Sequence, residues 1–464
     1  MQVIVTLFPV KTETLQARKL VMLTLWQWQK EVLQWSLNRD YIGLLLQQRL
    51  GKSLIAKRWA EAKGTRALIV APKSTHLDWI DLIKADGGYC CYMEGSTHKK
   101  MQALKASDLQ ADFYLINPEG LRACPDLFYE VSPDVLILDE SIVISNAKAK
   151  QTKVLLKLAK EVRYRAILTG ELMPDSYEQT YTQLSFLLAS GFMGISNFWT
   201  WRTKYFLPDF WGHNYEPRLG AGKEIKEAVA KHCYTLRAKD VGREVKRINQ
   251  IRTVDTPGKI LKLYEKAKRE WVLGESSTKW NVSLHNWLTQ LASGLIPGEY
   301  EKDKNFYLPY KIRYLIEELH GNFKNESMVI WCRYIREINM VYRELVAAGI
   351  TATKVSGTTS MDNRKKRLTN FRTGKKQVLV MQYVTGMMGL NLSNCSVMVY
   401  HSTPYTRRYR GQLDARCDSM NKEEPTLILD LVAAGTVEER AIRILQDKAI
   451  KNNRVTRHLK ELVK

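Results

Sequence analysis

Short apolar runs, unbroken by alternation and stopped by polar or turn-forming residues, recur along the chain. In the first half they are Leu44-Leu45-Leu46, Ala67-Leu68-Ile69-Val70-Ala71, Phe113-Tyr114-Leu115-Ile116, Val135-Leu136-Ile137-Leu138 and Arg165-Ala166-Ile167-Leu168. Runs this short and this apolar suit strands buried on both faces. Helix-compatible segments separate them, and residues 20–40 place Trp28, Val32 and Trp35 on one helical face. Strands alternating with helices predict a parallel sheet covered on both sides. A second series, Met328–Trp331, Gln377–Met381, Ser396–Tyr400 and Thr426–Leu429, predicts a second sheet of the same kind.

Between the two series the pattern changes. From Gly191 to Pro257 aromatic residues cluster (Phe198, Trp199, Trp201, Tyr205, Phe206, Phe210, Trp211, Tyr215) and apolar runs disappear. This reads as a mostly helical insertion whose aromatics form its core, since such rings bury large areas. Exposed Trp199, Trp201 or Trp211 stacking on bases is the sharper alternative. The expected division is 1–19 as an N-terminal strand segment, 20–190 as a first lobe, 191–257 as the insertion, 258–446 as a second lobe and 447–464 as a basic helix.

A chain of 464 residues exceeds one ordinary core, in keeping with two lobes. The apolar runs are too short to span a bilayer, so no membrane partner is expected. The start, Met1 to Phe8, lacks the basic leader of a secretory signal, which points to the cytoplasm. Seven scattered cysteines, without a Cys-x-x-Cys pair, argue against a zinc site or a disulfide framework. The 71 Lys and Arg exceed the 48 Asp and Glu by 23, and with 12 Trp and 22 Tyr this basicity points to a polyanion.

Two segments carry candidate chemistry. After the Leu44–Leu46 run a polar loop closes on Gly51-Lys52-Ser53, and a helix-compatible run follows. Strand, loop and helix in that order form a phosphate cradle: helix-start amides and Lys52 meet phosphate oxygens, and the Ser53 hydroxyl can ligate Mg2+. Leu46 stands where the full pattern has its first glycine. The second segment, Asp139-Glu140, ends a buried strand, where ligands of parallel sheets bind. Asp139 there can hold Mg2+ through water, and Glu140 can orient or deprotonate an attacking water.

Taken with these, an ordered set of segments resembles the Swi/Snf-type DNA translocases of helicase superfamily 2. Leu25-Trp26-Gln27-Trp28-Gln29 resembles the adenine-reading segment, Gly51-Lys52-Ser53 motif I, and Ile69-Val70-Ala71-Pro72-Lys73-Ser74 with Trp79 motif Ia. Asp139-Glu140-Ser141, with Asn146 beyond, is similar to motif II. Leu168-Thr169-Gly170 and Tyr181–Leu187 are similar to motif III and its following helix. Tyr234–Val241 looks like the lead into the second lobe, Gly386–Leu392 like motif V, Gln412-Leu413-Asp414-Ala415-Arg416 like motif VI, and Thr436–Arg440 like the closing sequence.

The resemblance implies two RecA-like lobes and an ATP hydrolase that moves on DNA as a monomer. ATP and Mg2+ would be held by Gln29, Arg49, Leu50, Gly51, Lys52, Ser53, Gly389 and Gln412, with Lys52, Asp139, Glu140 and Arg416 catalytic and Ser53 and Asp139 on the metal. DNA contacts are implied for Lys73, Ser74, Asn117, Arg333, Gly357, Thr358 and Thr385. Phage-encoded relatives suggest branch migration at forks or Holliday junctions in recombination, replication or repair. The chain departs from the pattern at Ile142, Glu171-Leu172 and Ser419, the last standing in place of a second motif VI arginine. Arg407, Arg408 or Arg410 is the expected substitute if Arg416 does not act alone. The alternatives are a nucleotide-binding DNA scaffold with little hydrolysis and an RNA helicase.

Overall fold

A computed structural model of the chain describes residues 24–173, 176–208, 215–243, 246–270, 272–273, 276–277, 281–296, 307–386, 392–404, 407–417 and 424–446. The expected N-terminal strand segment and basic C-terminal helix lie outside these residues. The chain divides into two compact units between Arg237 and Ala238.

In the first unit the strands are β1 (Tyr41–Leu46), β2 (Ala67–Val70), β3 (Cys90–Tyr92), β4 (Phe113–Ile116), β5 (Val135–Asp139), β6 (Tyr164–Thr169), β7 (Phe206–Pro208), β8 (Tyr215–Pro217) and β9 (Cys233–Leu236). Seven of them form one sheet in the order β3-β4-β2-β5-β6-β1-β9, with all its pairings parallel. The interior strands β2, β4 and β5 are buried along their whole length, as the unbroken apolar runs require. β1 begins earlier than its leucine run because Gly43 continues the strand: a Cβ there would lie 2.3 Å from Cys233 Sγ on the neighbouring strand.

Register sets the site. Asp139 at the end of β5 lies beside Leu168 of β6, and Leu168 lies beside Leu44 of β1. The loop after β1 and the turn after β5 therefore leave the sheet at one edge, a single strand apart.

The second unit holds β10 (Arg247–Val254), β11 (Val272–Leu273), β12 (Ser276–Ser277), β13 (Met328–Cys332), β14 (Ala352–Val355), β15 (Val378–Gln382), β16 (Val397–Tyr400) and β17 (Thr426–Ala433). Its six-stranded sheet runs β10-β17-β16-β13-β15-β14, again with parallel pairing throughout. The closing sequence is pinned from within: Lys311 Nζ reaches both oxygens of Glu438 at 3.0 and 2.8 Å, and Glu438 also accepts the Ala433 amide at 2.9 Å. Among the described residues no helix is long and apolar enough to cross a membrane.

Residues 191–257 do not form a separate helical insertion. Two helices, Phe198–Tyr205 and Ala221–Ala230, and the antiparallel ribbon β7-β8 belong to the first unit, and β9 is the edge strand of its sheet. β10 belongs to the second unit. Both edge strands escape an apolar-run reading for a local reason: β9 reads Cys-Tyr-Thr-Leu, interrupted by a threonine, and the exposed edge β10 reads Arg-Ile-Asn-Gln-Ile-Arg-Thr-Val. The aromatic cluster is divided by burial. Trp201, Tyr205 and Phe206 enter the main core of the first unit, where Trp201 packs on Tyr181 at 5.1 Å and Phe206 at 5.2 Å. Trp199 stays 42% exposed, with the Arg202 guanidinium 4.6 Å from its ring; Phe210 and Trp211 lie outside the described residues.

Trp201→Ala is expected to lower the unfolding free energy by about 3–5 kcal/mol, and Trp199→Ala by under about 1 kcal/mol. Chemical denaturation of the two variants checks the contrast.

Candidate functional site

The loop between β1 and the helix Lys52–Lys63 is shaped by left-handed backbone. Gly51 caps the helix at φ 79° and ψ 28° with no side-chain cap, and Arg49 two residues earlier has φ 67°. The first helical amides, at Lys52 and Ser53, thus have no capping side-chain oxygen and form a positive pole at the sheet edge. Gln29, from the helix Gln27–Leu37, braces the loop from behind. Its amide Nε2 donates to the Leu50 carbonyl at 3.3 Å, and its Oε1 accepts the Trp26 amide at 2.9 Å. Position 51 favours glycine for its left-handed backbone, and a Cβ there, 2.1 Å from Gln29 Nε2, would displace the Gln29 amide.

Across β6 lies Asp139, only 3% exposed. Its Oδ2 accepts the Trp79 indole N–H at 2.8 Å, and its Oδ1 accepts the Glu140 amide at 2.9 Å. Burial raises its pKa to about 6, the adjacent Glu140 carboxylate adds to that rise, and Lys52 and the two donors oppose it. Glu140 takes φ 48° and ψ 56°, a left-handed conformation that costs a non-glycine residue about 1–2 kcal/mol. It turns the chain sharply into the 3-10 segment Ser141–Ile144. There the Ser141 hydroxyl donates to Gln183 Oε1 at 2.6 Å, and Gln183 Nε2 donates to the Leu172 carbonyl at 2.8 Å. Buried Gln183 thus ties the acidic turn to the segment that leaves β6. A hydroxyl and a carboxylate are hard oxygen donors suited to Mg2+, and the uncapped helix start suits a phosphate.

The remaining predicted residues of the first unit leave the same edge. Lys73 and Ser74 lie in the turn Lys73–Thr75 after β2, with Lys73 exposed. Asn117 follows β4, is 6% exposed, and donates to Glu119 Oε2 at 2.7 Å. In the second unit Arg333 follows β13, Gly357 and Thr358 follow β14, and Thr385 follows β15. Thr385 is 1% exposed, so its side chain is enclosed and presents no surface to a polymer, against the expectation of a direct contact. Gln412 lies in the helix Arg407–Asp414 and Arg416 in the turn after it, its carbonyl accepting the Leu392 amide at 2.9 Å. Lys52 and Arg416 belong to different units. Gly389 and Ser419 lie outside the described residues, as do the side chains of Arg407 and Arg408.

Arg410 is not a spare arginine. It forms a two-pronged pair with Asp430, with one contact at 2.9 Å, a further pair with Asp414 at 3.2 Å, and its guanidinium lies 3.9 Å from the Tyr400 ring centre. Those groups hold it inside the fold of the second unit, which removes it as a stand-in at Ser419.

Family comparison places this geometry. The SNF2-related domain profile matches residues 21–241, and the helicase conserved C-terminal domain profile matches residues 310–420. The chain carries an SNF2-related domain followed by a helicase conserved C-terminal domain. It is 21% identical to the ISWI chromatin-remodeling complex ATPase ISW1 of Saccharomyces cerevisiae, over 92% of this chain and 40% of that protein. It is 22% identical to YwqA of Bacillus subtilis, named as a putative ATP-dependent helicase/translocase, over 84% of this chain and 43% of that protein. The chain therefore spans less than half the length of these relatives. Among solved structures, the SWI2/SNF2 ATPase core of Sulfolobus solfataricus in complex with dsDNA is 16% identical, covers 94% of each chain and gives a TM-score of 0.44.

The structure adds two residues to the site. Trp79, read from sequence with the DNA-facing segment, is 1% exposed and turned inward onto Asp139. Gln183 supplies a link between the acidic turn and motif III, at a place where the chain carries Ile142 instead of histidine.

Trp79→Phe removes a donor that stabilises ionised Asp139, so the carboxyl's folded-state pKa moves further above 6. A raised carboxyl pKa favours the protonated form, so the loss grows as pH falls. Mg2+-dependent binding of a fluorescent ATP analogue is expected to weaken by roughly tenfold at pH 6, the scale of one hydrogen bond to a charged group, and by less at pH 8. Titrations at both pH values check this.

Proposed function

We propose that this chain is an ATP-driven motor that translocates on DNA and remodels branched DNA, at forks or Holliday junctions, in phage recombination, replication or repair. The observation that carries the reading is the uncapped Gly51-Lys52-Ser53 helix start set one strand from the buried Asp139-Glu140 turn, within the segment matched by the SNF2-related profile. The named activities of ISW1 and YwqA support an ATP-hydrolysing motor. DNA as its track is supported by the excess of 23 basic residues over acidic ones and by the chromatin-remodeling complex in which ISW1 is named. Branch migration rests on the resemblance to phage-encoded relatives.

In this reading the helix-start amides and Lys52 neutralise the β- and γ-phosphates, and Gln29 holds the loop that presents them. Ser53 and ionised Asp139 would hold Mg2+, which would supply positive charge against the transferring phosphoryl group. Glu140, aimed by its left-handed turn, orients water and accepts its proton. Arg416, in the second unit, is the arginine that the motif VI resemblance assigns to catalysis. Lys73 and Ser74 in one unit, and Arg333, Gly357 and Thr358 in the other, grip the sugar-phosphate backbone; Asn117, buried with its amide on Glu119, leaves that set. Such contacts carry little base information, so binding tolerates sequence and falls steeply with salt.

Phosphate release measured with duplex, forked, Holliday-junction and single-stranded DNA, and with RNA, tests the proposal. Branched DNA is expected to stimulate turnover most. Lys52→Ala is expected to reduce stimulated turnover by at least about a hundredfold while DNA affinity stays within about twofold. Wild-type turnover that ignores DNA would favour a scaffold, and stimulation by RNA alone would replace DNA as the track.

A further inference from the structure

In the second unit, the ligand-capable atoms of buried Cys332, Glu337 and His401 all lie within 4.8 Å of one another. This set is not arranged for a cation. Glu337 Oε1 lies 2.6 Å from His401 Nδ1. Its Oε2 accepts the Arg333 amide at 2.8 Å, the Tyr334 amide at 3.2 Å and the Ser402 hydroxyl at 3.2 Å. A carboxylate has about four lone-pair sites, and four donors engage this one, three of them on Oε2. Burial also pushes the Cys332 thiol well up, which keeps it protonated.

What the carboxylate does is join strand exits. Glu337 sits in the first turn of the helix Ile335–Ala347 and accepts the amide of its cap residue Tyr334, but a cap alone needs no burial. Through the Arg333 amide it fixes the peptide leaving β13, and through His401 and Ser402 the peptide leaving β16. Ser402 Oγ accepts the same Arg333 amide at 3.0 Å and lies 3.1 Å from the Tyr383 hydroxyl, in the turn after β15 that leads to Thr385. The Arg333 carbonyl accepts Gln382 Nε2 at 3.4 Å, and Gln382 Oε1 accepts the Gly357 amide at 3.3 Å after β14. One buried carboxylate thus sits at the centre of a polar network linking the ends of four neighbouring strands, and the loops that leave there include Arg333, Gly357 and Thr358.

We propose that Glu337 is a positioning residue for nucleic-acid binding by the second unit: it touches no polymer itself, and holds the backbone at Arg333, and through Ser402, Tyr383 and Gln382 the loops beside it, in the geometry that receives phosphates. This rests on the DNA-motor reading. It predicts that disturbing Glu337 weakens DNA binding by moving the phosphate-receiving loops, not through general loss of structure.

The test uses the full chain and a fluorescent DNA duplex, read by anisotropy across a salt series, with DNA-stimulated phosphate release alongside. Glu337→Gln keeps the shape but turns an NH2 toward the donors. It is expected to weaken DNA binding by about tenfold and to flatten the dependence of log affinity on log salt by about one unit for each phosphate that is no longer neutralised. Maximal stimulated turnover is expected to return at saturating DNA. His401→Gln, which keeps a donor toward Glu337, is expected to stay within about twofold of wild type. If Glu337→Gln does not fold, Tyr383→Phe, which breaks one spoke of the network, is expected to weaken binding by about threefold. A folded Glu337→Gln, or in its place Tyr383→Phe, with wild-type affinity and salt slope overturns the inference while leaving the motor reading intact. A wild-type chain that neither binds DNA nor is stimulated by it overturns the motor reading first, and this inference with it.

Discussion

Asp139 lies almost wholly out of water, beside a second carboxylate, and the first unit is arranged to keep its negative charge tolerable there. Isolated burial of a carboxylate is costly enough that the group would ordinarily take up a proton. Two donors and the nearby Lys52 ammonium oppose that, leaving the group poised near pH 6. The sheet register makes this possible, because only one strand separates β5 from β1 and brings the Lys52 helix start alongside. The left-handed Glu140 serves the same end, since its amide turns back onto the Asp139 carboxylate.

Glu337 shows the opposite solution to the same problem. It too is a buried carboxylate at the carboxyl edge of a parallel sheet. Burial would raise its pKa, but the His401 hydrogen bond and charge, the backbone amide of Tyr334 and Lys311 outweigh that and hold it below the usual range. The number of donors separates the two sites. Asp139 accepts from the Trp79 indole and the Glu140 amide and retains acceptor capacity for a cation; Glu337 is engaged by four donors and works as a fastener. The same distinction explains why Arg410, engaged by Asp414 and Asp430, belongs to structure although it lies in a segment where sequence suggested a free cation.

The two units therefore share a plan while differing in what their edges do. In the first, an uncapped helix start and an under-filled carboxylate leave unmet charge on either side of β6. In the second, the polar groups at the strand ends satisfy one another and set the course of the loops. A chain with 23 more basic than acidic residues keeps its interior acids matched in this way and leaves much of the excess for the surface.

The apolar runs by themselves determined most of the interior strands of both sheets, because a strand covered on both faces has to be apolar throughout. The ordered motifs determined the candidate residues Gly51, Lys52, Ser53, Asp139 and Glu140, because phosphate and Mg2+ chemistry restricts the residue types that serve. Edge strands β9 and β10 were not legible: a threonine interrupts the first, and the second is too polar to leave an apolar run. The aromatic segment looked like a domain of its own because sequence shows how many rings there are, not which core receives them; packing sent Trp201 inward and left Trp199 at the surface. Trp79 on Asp139, Gln183 between Ser141 and Leu172, and Glu337 between β13 and β16 were decided by tertiary structure alone. Each joins positions far apart in the chain through hydrogen bonds, and the direction of a hydrogen bond is fixed only once register and packing have set where each backbone segment ends.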